Sequence, residues 1–183
     1  IWVNGFYLGH EPSGYATQVY DISEYLNYGE ENIVCVRADA TLEEGWFYEG
    51  AGIYRHVWLN KASFLHVAPF GTFVRAEFPG DSDIYDDVII DIDTEVRNMS
   101  AATTGTAYIL RHTLMDASGS KVAYCEVEGE TLSGKDSDNT NVRMKVENPH
   151  LWSCEDPYLY TLVTEVTLDG GVMDTYETVT GIR

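Results

Sequence analysis

The sequence is poor in positive charge and lacks long apolar runs. It has 11 Lys and Arg against 30 Asp and Glu, which gives a formal net charge of −19. Because nucleic acid binding needs clustered Lys and Arg, and no such cluster occurs, this composition argues against nucleic acid partners. The same charge would repel an anionic membrane surface, whereas it is compatible with a neutral substrate. No apolar run is long enough to cross a bilayer, so no membrane partner is expected.

Cysteine is also scarce, and its spacing excludes common metal sites. Cys35, Cys125 and Cys154 are an odd number and contain no C-x-x-C pair. This pattern argues against a disulfide framework or a zinc site, and we expect buried free thiols. The five histidines share no metal-ligand spacing. The acidic segment 136–140 lacks the glycine and the flanking helices of a calcium loop. The sequence therefore predicts no metal and no cofactor.

Residues that favour β-strands are abundant. Aromatic residues make up 13% of the chain, with 13 Tyr, and Val, Ile and Thr recur throughout. At its N-terminal end, Asn4-Gly5 lies between two apolar runs and supplies the positive-φ residues of a tight turn, so residues 1–8 are predicted to form a hairpin. Asp21 or Ser23 would cap one helical turn over residues 21–26. Further strands are predicted over residues 15–20, 32–39 and 53–66.

A second series of strands follows the sequence Ala-Pro-Phe-Gly at residues 68–71, which marks the end of the first region. In residues 141–147, for example, Val142, Met144 and Val146 should share the inward face. Turns are predicted at residues 116–119 and 169–171. About seven short strands at this spacing are typical of an immunoglobulin-like sandwich. The strands are predicted over residues 73–78, 87–97, 106–115, 121–127, 141–147, 158–168 and 172–179.

Several phrases of the sequence resemble one enzyme family. VNGFYLG, DISEYL and GAGIYRHVWL resemble the N-terminal jelly-roll domain of glycoside hydrolase family 2, the β-galactosidase and β-glucuronidase group. NPHLWS at residues 148–153, DPYLY at 156–160 and TGIR at 180–183 resemble that family's immunoglobulin-like second domain, although family members usually have an aromatic residue in place of Thr180. The resemblance implies an all-β chain: a partial, sugar-binding jelly roll over residues 1–66 and an immunoglobulin-like β-sandwich over residues 67–183.

The resemblance also implies that two parts of the family's architecture lie outside this sequence. The first half of the jelly roll would precede Ile1, and the catalytic (β/α)8 barrel would follow Arg183. Retaining glycosidases use two carboxyl groups about 5–5.5 Å apart, and the family carries its acid/base on an Asn-Glu pair within the barrel. No Asn-Glu dipeptide occurs in the sequence. We therefore expect no catalytic residue in this chain and no activity from it alone.

The loop at residues 45–49 is the candidate for contact with substrate. In family members the loop before the GIYR-like segment reaches over the active site of the barrel. By this resemblance Trp46, Tyr48 and Glu49 are candidate substrate-binding residues, since aromatic rings stack on sugars and a carboxylate accepts hydroxyl hydrogen bonds. The alternative is that these rings pack the jelly roll against a neighbouring domain. Arg55 is expected to hold the domain junction through an ion pair or carbonyl contacts. Gly50 to Gly52 predict a positive-φ turn.

Two functions from different classes follow. The first is a non-catalytic segment of a β-galactosidase-like hydrolase, which supports the barrel and lends an aromatic loop to its sugar site. The alternative is a stand-alone carbohydrate-binding or adhesive β-sandwich. The expected partners are the protein's own barrel and a β-glycoside. Because a partial jelly roll leaves unpaired sheet edges, we expect residues 1–66 to be less ordered than the rest or to form a homodimer. A periplasmic or secreted location is favoured over a cytoplasmic one.

Overall fold

The protein is described by a computed structural model. The described residues are 1–39, 41, 52–80, 87–101 and 105–183. The chain divides into two compact units, an N-terminal unit, Ile1–Leu59, and a C-terminal unit, Asn60–Arg183. The domain boundary expected after residue 66 lies seven residues beyond this division and inside a strand.

The N-terminal unit is built around a short hairpin. Strand β1, Trp2–Val3, pairs with β2, Phe6–Tyr7. Asn4 and Gly5 have φ of 49° and 86°, so the predicted Asn-Gly turn is confirmed. Strand β3, Val34–Cys35, pairs with the other edge of β1 and gives the sheet order β2-β1-β3.

The side chain of Asn4 also links the hairpin to distant segments. Its Nδ2 donates to the carbonyl of Tyr25 at 2.7 Å, and its Oδ1 accepts from the backbone N–H of Ile33 at 2.9 Å. The predicted helical turn is confirmed as a 3-10 helix, Ser23–Tyr25. The predicted cap is wrong, because the N-cap position is Ile22 and no side chain caps the turn, although Asp21 Oδ1 accepts a hydrogen bond from the backbone N–H of Ser23 at 2.9 Å.

Three strand predictions in this region are wrong or too long. Residues 15–20 are not a strand, the strand predicted over 32–39 is limited to β3, and the residues from 53 to 64 are also not a strand. Their side chains are exposed almost throughout. Alternating apolar residues can form a strand only where a partner satisfies the backbone, and the described residues supply no partner to these segments.

The C-terminal unit is an antiparallel sandwich of two sheets. One sheet has the order β4-β5-β8 and the other β10-β9-β6-β7. This arrangement of three and four strands is the immunoglobulin-like sandwich that the sequence predicted. The strands are β4, Leu65–Glu77; β5, Asp87–Asn98; β6, Ile109–Met115; β7, Lys121–Glu128; β8, Asp136–Glu147; β9, Tyr160–Leu168; and β10, Gly171–Thr180.

Strand β4 corrects the prediction of a break at residues 68–71. The register against β5 passes from Val67–Val96 to Thr72–Thr94, so the four residues 68–71 of β4 lie opposite one residue of β5, Glu95. The extra residues form a bulge in which Phe70 has a φ of 59°. A Cβ on Gly71 would lie 2.7 Å from the carbonyl oxygen of Ala68, which explains the glycine. Pro and Gly therefore interrupt the strand without ending it.

The two sheets enclose a core with two apolar clusters. One contains Ile90, Ile92, Leu114, Leu162 and Ile182, among others. The other contains Leu65, Val67, Val96, Leu110 and Val166, among others. The predicted inward face of β8 is confirmed, since Met144 and Val146 belong to the first cluster and Val142 packs against it.

A polar layer lies between these clusters. Thr94 on β5, His112 on β6 and Thr164 on β9 are fully buried, and each sits between a member of one cluster and a member of the other on its own strand. His112 Nδ1 lies 3.0 Å from Thr164 Oγ1. The two apolar clusters therefore share one core, with a layer of buried polar side chains between them.

The cysteines differ from the prediction in part. Among the described residues all three are free, as expected, but Cys35 and Cys154 are exposed. Cys125 on β7 is half-buried, and burial raises the pKa of its thiol. Buried thiols were therefore the wrong expectation for Cys35 and Cys154, because the first lies in the small N-terminal sheet and the second in a surface loop.

Candidate functional site

The loop predicted to contact substrate, residues 45–49, lies wholly outside the described residues. Trp46, Tyr48 and Glu49 lie outside the described residues, so their role stays a prediction. The nearest described residues are Asp39 and Thr41 before the loop and Gly52 after it, and they belong to the N-terminal unit.

The chain enters the loop through a hydrogen-bonded turn at Asp39. One carboxylate oxygen of Asp39 accepts from the hydroxyl of Thr41 at 2.7 Å and from its backbone N–H at 3.2 Å. The other accepts from the Arg37 guanidinium at 2.7 Å. The bonds from Thr41, followed by the charge of Arg37, hold the pKa of Asp39 below its usual value. Asp39 is therefore an anion held by hydrogen bonds six residues before the loop.

After the loop, the described chain resumes at Gly52 and makes two aromatic contacts. Gly52 has a φ of 110°, as the turn prediction required at this position. The guanidinium carbon of Arg55 lies 6.0 Å from the centre of the Tyr54 ring. Tyr54 in turn meets Tyr15 edge to face, with ring centres 6.4 Å apart. Among the described residues, Arg55 has this ring contact and no ion pair, so its predicted role at a domain junction stays a prediction.

An open cleft of about 500 Å³ lies beside the entry to the loop. It is lined by aromatic rings and by polar side chains. The rings of Trp2 and Tyr7 are 5.3 Å apart, and the Tyr7 hydroxyl lies 3.1 Å from His10 Nδ1. Arg37 and Asp39 complete the wall. Such a cleft can offer a ring face to the C–H groups of a sugar and charged groups to its hydroxyls.

Sequence reasoning missed these cleft residues. Arg37 and Asp39 stand two positions apart and so share one face of an extended chain, which was the available signal. Trp2 and Tyr7 face each other across the hairpin, as its register requires. What the sequence could not supply was that the hairpin and the segment after β3 border the same cleft.

The acidic segments do not form a metal site in the described part of the chain. Residues 81–86 lie outside the described residues. Asp138 lies on β8, where its Oδ2 accepts from the Tyr108 hydroxyl at 2.7 Å and from the backbone N–H of Glu130 at 3.0 Å. The described residues contain no group of three or more His, Cys, Asp or Glu side chains that could hold a metal ion. They also contain no helix long and apolar enough to cross a bilayer.

Comparison with known proteins finds relatives that match the whole chain. The family model described as glycosyl hydrolases family 2 matches residues 70–183. The β-galactosidase BoGH2A of Bacteroides ovatus is 36% identical over 184 residues, and a β-glucuronidase of Formosa agariphila is 29% identical over 204 residues. Both similarities cover all of this chain but only 21% and 20% of those proteins.

Solved structures agree with the sequence relatives. A family 2 glycosyl hydrolase from Bacteroides cellulosilyticus superposes with a TM-score of 0.89 at 30% identity. A β-glucuronidase of glycoside hydrolase family 2 superposes with a TM-score of 0.90 at 26% identity. Each match covers the full chain and 24% or 20% of the solved one.

The fold and the comparisons together define an all-β protein with the β-sandwich domains found in glycosidases. A partial jelly-roll β-sandwich is followed by an immunoglobulin-like one. The chain belongs to glycoside hydrolase family 2. It spans about a fifth of the length of the curated relatives it matches.

Proposed function

We propose that this chain is the non-catalytic accessory segment of a β-galactosidase-like glycosidase, an enzyme that hydrolyses O-glycosidic bonds. The observation that carries the proposal is that relatives named as β-galactosidase and β-glucuronidase match the chain along its whole length, while it spans only about a fifth of theirs. The absence of an Asn-Glu pair from the sequence agrees with a catalytic pair carried elsewhere in the enzyme.

In this proposal the segment supports the catalytic barrel and presents the loop at residues 45–49 to its sugar site. Trp46 and Tyr48 would stack on the sugar, and Glu49 would accept hydrogen bonds from its hydroxyls. The turn at Asp39 and the Tyr54–Arg55 contact support this role, because they restrain the chain six residues before the loop and five residues after it. Restraint of a binding loop lowers the entropy lost when substrate binds.

Hydrolysis of chromogenic β-galactosides and β-glucuronides tests the proposal. We expect activity from the complete gene product and none from residues 1–183 alone. Trp46→Ala in the complete gene product should raise KM or lower kcat by about 10-fold, the scale of one lost sugar-stacking contact worth about 1.4 kcal/mol. Tyr28→Ala is the matched control, since Tyr28 is an exposed aromatic residue elsewhere in the same unit.

Two results would contradict the proposal. Hydrolysis by residues 1–183 alone would show that the sequence contains a catalytic carboxylate pair. A complete gene product that cleaves neither substrate class and contains no barrel would favour the alternative, a carbohydrate-binding protein. The cleft beside Trp2 and Tyr7 supports that alternative, and calorimetry with galactosides and glucuronides would then measure binding that Trp2→Ala weakens.

A further inference from the structure

The loop between β8 and β9 folds back onto the residues that follow β10. The backbone N–H of Trp152 donates to the carbonyl of Ile182 at 2.8 Å. The indole lies against Gly181, where an added Cβ would come within 3.1 Å of Trp152 Cβ and Cγ. The guanidinium carbon of Arg183 lies 5.5 Å from the centre of the same ring. Trp152 therefore contacts three consecutive residues beyond the last strand.

The loop that carries Trp152 is itself closed by short-range bonds. The backbone N–H of Ser153 donates to the carbonyl of Asp156 at 2.9 Å, and Ser153 Oγ accepts from the backbone N–H of Asp156 at 3.0 Å. His150 Nε2 lies 2.6 Å from Asp156 Oδ2. The His150 ring stacks on Tyr158, with centres 4.0 Å apart and planes 6° from parallel. These contacts leave the loop little freedom to move independently.

Both the loop and the residues it holds are tied to the sandwich core. The Tyr160 side chain is 3% exposed, and its hydroxyl accepts from the backbone N–H of His150 at 2.7 Å. The hydroxyl of Tyr158 accepts from the backbone N–H of Ala117, in the turn between β6 and β7, at 3.1 Å. Ile182 is fully buried in the cluster that contains Leu114 and Leu162. The segment 180–183 is thus held both by the loop that carries Trp152 and by the apolar cluster that contains Ile182.

Such restraint is unusual for residues that lie beyond a strand. Connecting segments are ordinarily exposed and more mobile than the elements they join. Here a buried isoleucine, an aromatic ring and a cation–π contact fix the backbone over residues 181–183. A sandwich already closed by β10 does not need this set of contacts to pair its strands.

We propose that residues 148–158 form a latch that fixes the direction in which the polypeptide leaves the sandwich at Arg183. This inference rests on the proposed function, because the part so oriented would be the catalytic barrel. The latch then sets the orientation of the barrel relative to the sandwich. Trp152 is a positioning residue, which acts on the reaction only through the orientation of the following domain.

The test compares variants of the complete gene product. Trp152→Ala removes the ring from Gly181 and Arg183, whereas Trp152→Phe keeps an aromatic face in place. Tyr108→Phe is the matched control, because it removes the hydrogen bond to Asp138 in the same unit without touching the latch. Gly181→Ala is the second variant if Trp152→Ala does not fold, since its methyl group would lie 3.1 Å from Trp152 Cβ and Cγ and force the side chain to shift by a few tenths of an ångström.

Hydrogen exchange and small-angle X-ray scattering give readouts that do not depend on activity. We expect Trp152→Ala to speed exchange of the residue-152 amide, whose N–H donates to the Ile182 carbonyl, by about 10-fold or more and to broaden the distance distribution of the whole protein. Trp152→Phe and Tyr108→Phe should leave both unchanged. Unchanged exchange in Trp152→Ala would overturn the latch, and faster exchange with an unchanged distance distribution would overturn its orienting role.

Kinetics separate this inference from the proposed function. With a chromogenic β-glycoside, Trp152→Ala should lower kcat/KM by about 10-fold, and Trp152→Phe should restore most of it. A loss in Tyr108→Phe equal to that in Trp152→Ala would indicate general destabilisation and count against the latch. If the wild-type protein cleaves no β-glycoside, the proposed function fails, whereas exchange and scattering still decide whether the latch exists.

Discussion

His112 is fully buried on β6, and its Nε2 has no hydrogen-bond partner among the described residues. Burial lowers the pKa of this imidazole to about 4, against about 6.5 in an unfolded chain. Between these values the unfolded protein binds a proton that the folded protein excludes. The stability supplied by the neutral histidine is therefore complete above about pH 7 and decreases as the pH falls towards 4.

We expect the free energy of unfolding to fall by about 2 kcal/mol between pH 7 and pH 5 because of His112. His112→Leu combined with Thr164→Val should remove most of this dependence, since both hydrogen-bonding partners are replaced together. Urea unfolding followed by circular dichroism at the two pH values measures it. An equal slope in wild type and double variant would contradict the assignment to His112.

Carboxylates whose pKa is lowered in the fold do not account for a loss in this pH range. The Asn141 amide and then Arg75 hold the pKa of Asp91 below its usual value of 3.8. A carboxyl group with a lowered pKa stabilises the fold above its unfolded value and loses this contribution only in more acidic solution. The loss of unfolding free energy between pH 7 and pH 5 is therefore assigned to His112.

At the scale of elements, β4 shows how a strand persists across residues that normally end one. Its backbone N–H groups near the bulge find side-chain partners on β10. The N–H of Val67 donates to Asp174 at 2.9 Å, and that of Phe70 donates to the Tyr176 hydroxyl at 3.2 Å. Side chains of β10 thus satisfy these two N–H groups of the bulge. Pairing with β5 resumes at Thr72.

Phe70 and Phe73 provide a matched pair of substitutions on this strand. Both side chains are exposed, but only Phe70 has a positive φ, which costs an L-residue about 1–2 kcal/mol. Phe70→Gly should therefore leave stability unchanged or raise it by up to about 1 kcal/mol. Phe73→Gly should lower it by about 1 kcal/mol, because glycine weakens a strand interior. Thermal unfolding measures both, and equal losses would show that the bulge is not strained.

At the scale of the whole molecule, the two units differ in how well they bury their apolar residues. The sandwich encloses two clusters, whereas Val3 is the buried apolar side chain among the described residues of the N-terminal unit. Val57 and Trp58 are 72% and 77% exposed in the segment that the sequence predicted to be a strand. Exposed apolar surface of this kind marks an interface.

We expect residues 1–183 to self-associate through the N-terminal unit. Because each copy carries a formal charge of −19, association should strengthen as salt screens the repulsion. Sedimentation at two salt concentrations measures this. Trp58→Ser should weaken association several-fold, while Tyr124→Ser, an exposed aromatic residue of the sandwich, should not. A monomer at high salt would exclude this interface.

The sequence alone determined the strands and turns whose own residues carry a recognisable pattern. Alternating Val88, Ile90 and Ile92 predicted β5, the Asn4-Gly5 pair predicted the hairpin, and the family phrases identified the relatives. In each case the residues carry the information locally, as a face or as a turn conformation. The candidate loop at Trp46, Tyr48 and Glu49 was also read from sequence, and its role stays a prediction.

Only the tertiary structure decided which strands have partners and what surrounds each polar group. Periodicity reports the face of a strand but not its neighbour, so residues 53–64 resembled a strand without forming one. The burial of His112, the continuity of β4 across its bulge and the contact of Trp152 with residues 181–183 all depend on segments distant in sequence. Such contacts arise from how the two sheets pack, and no local pattern encodes them.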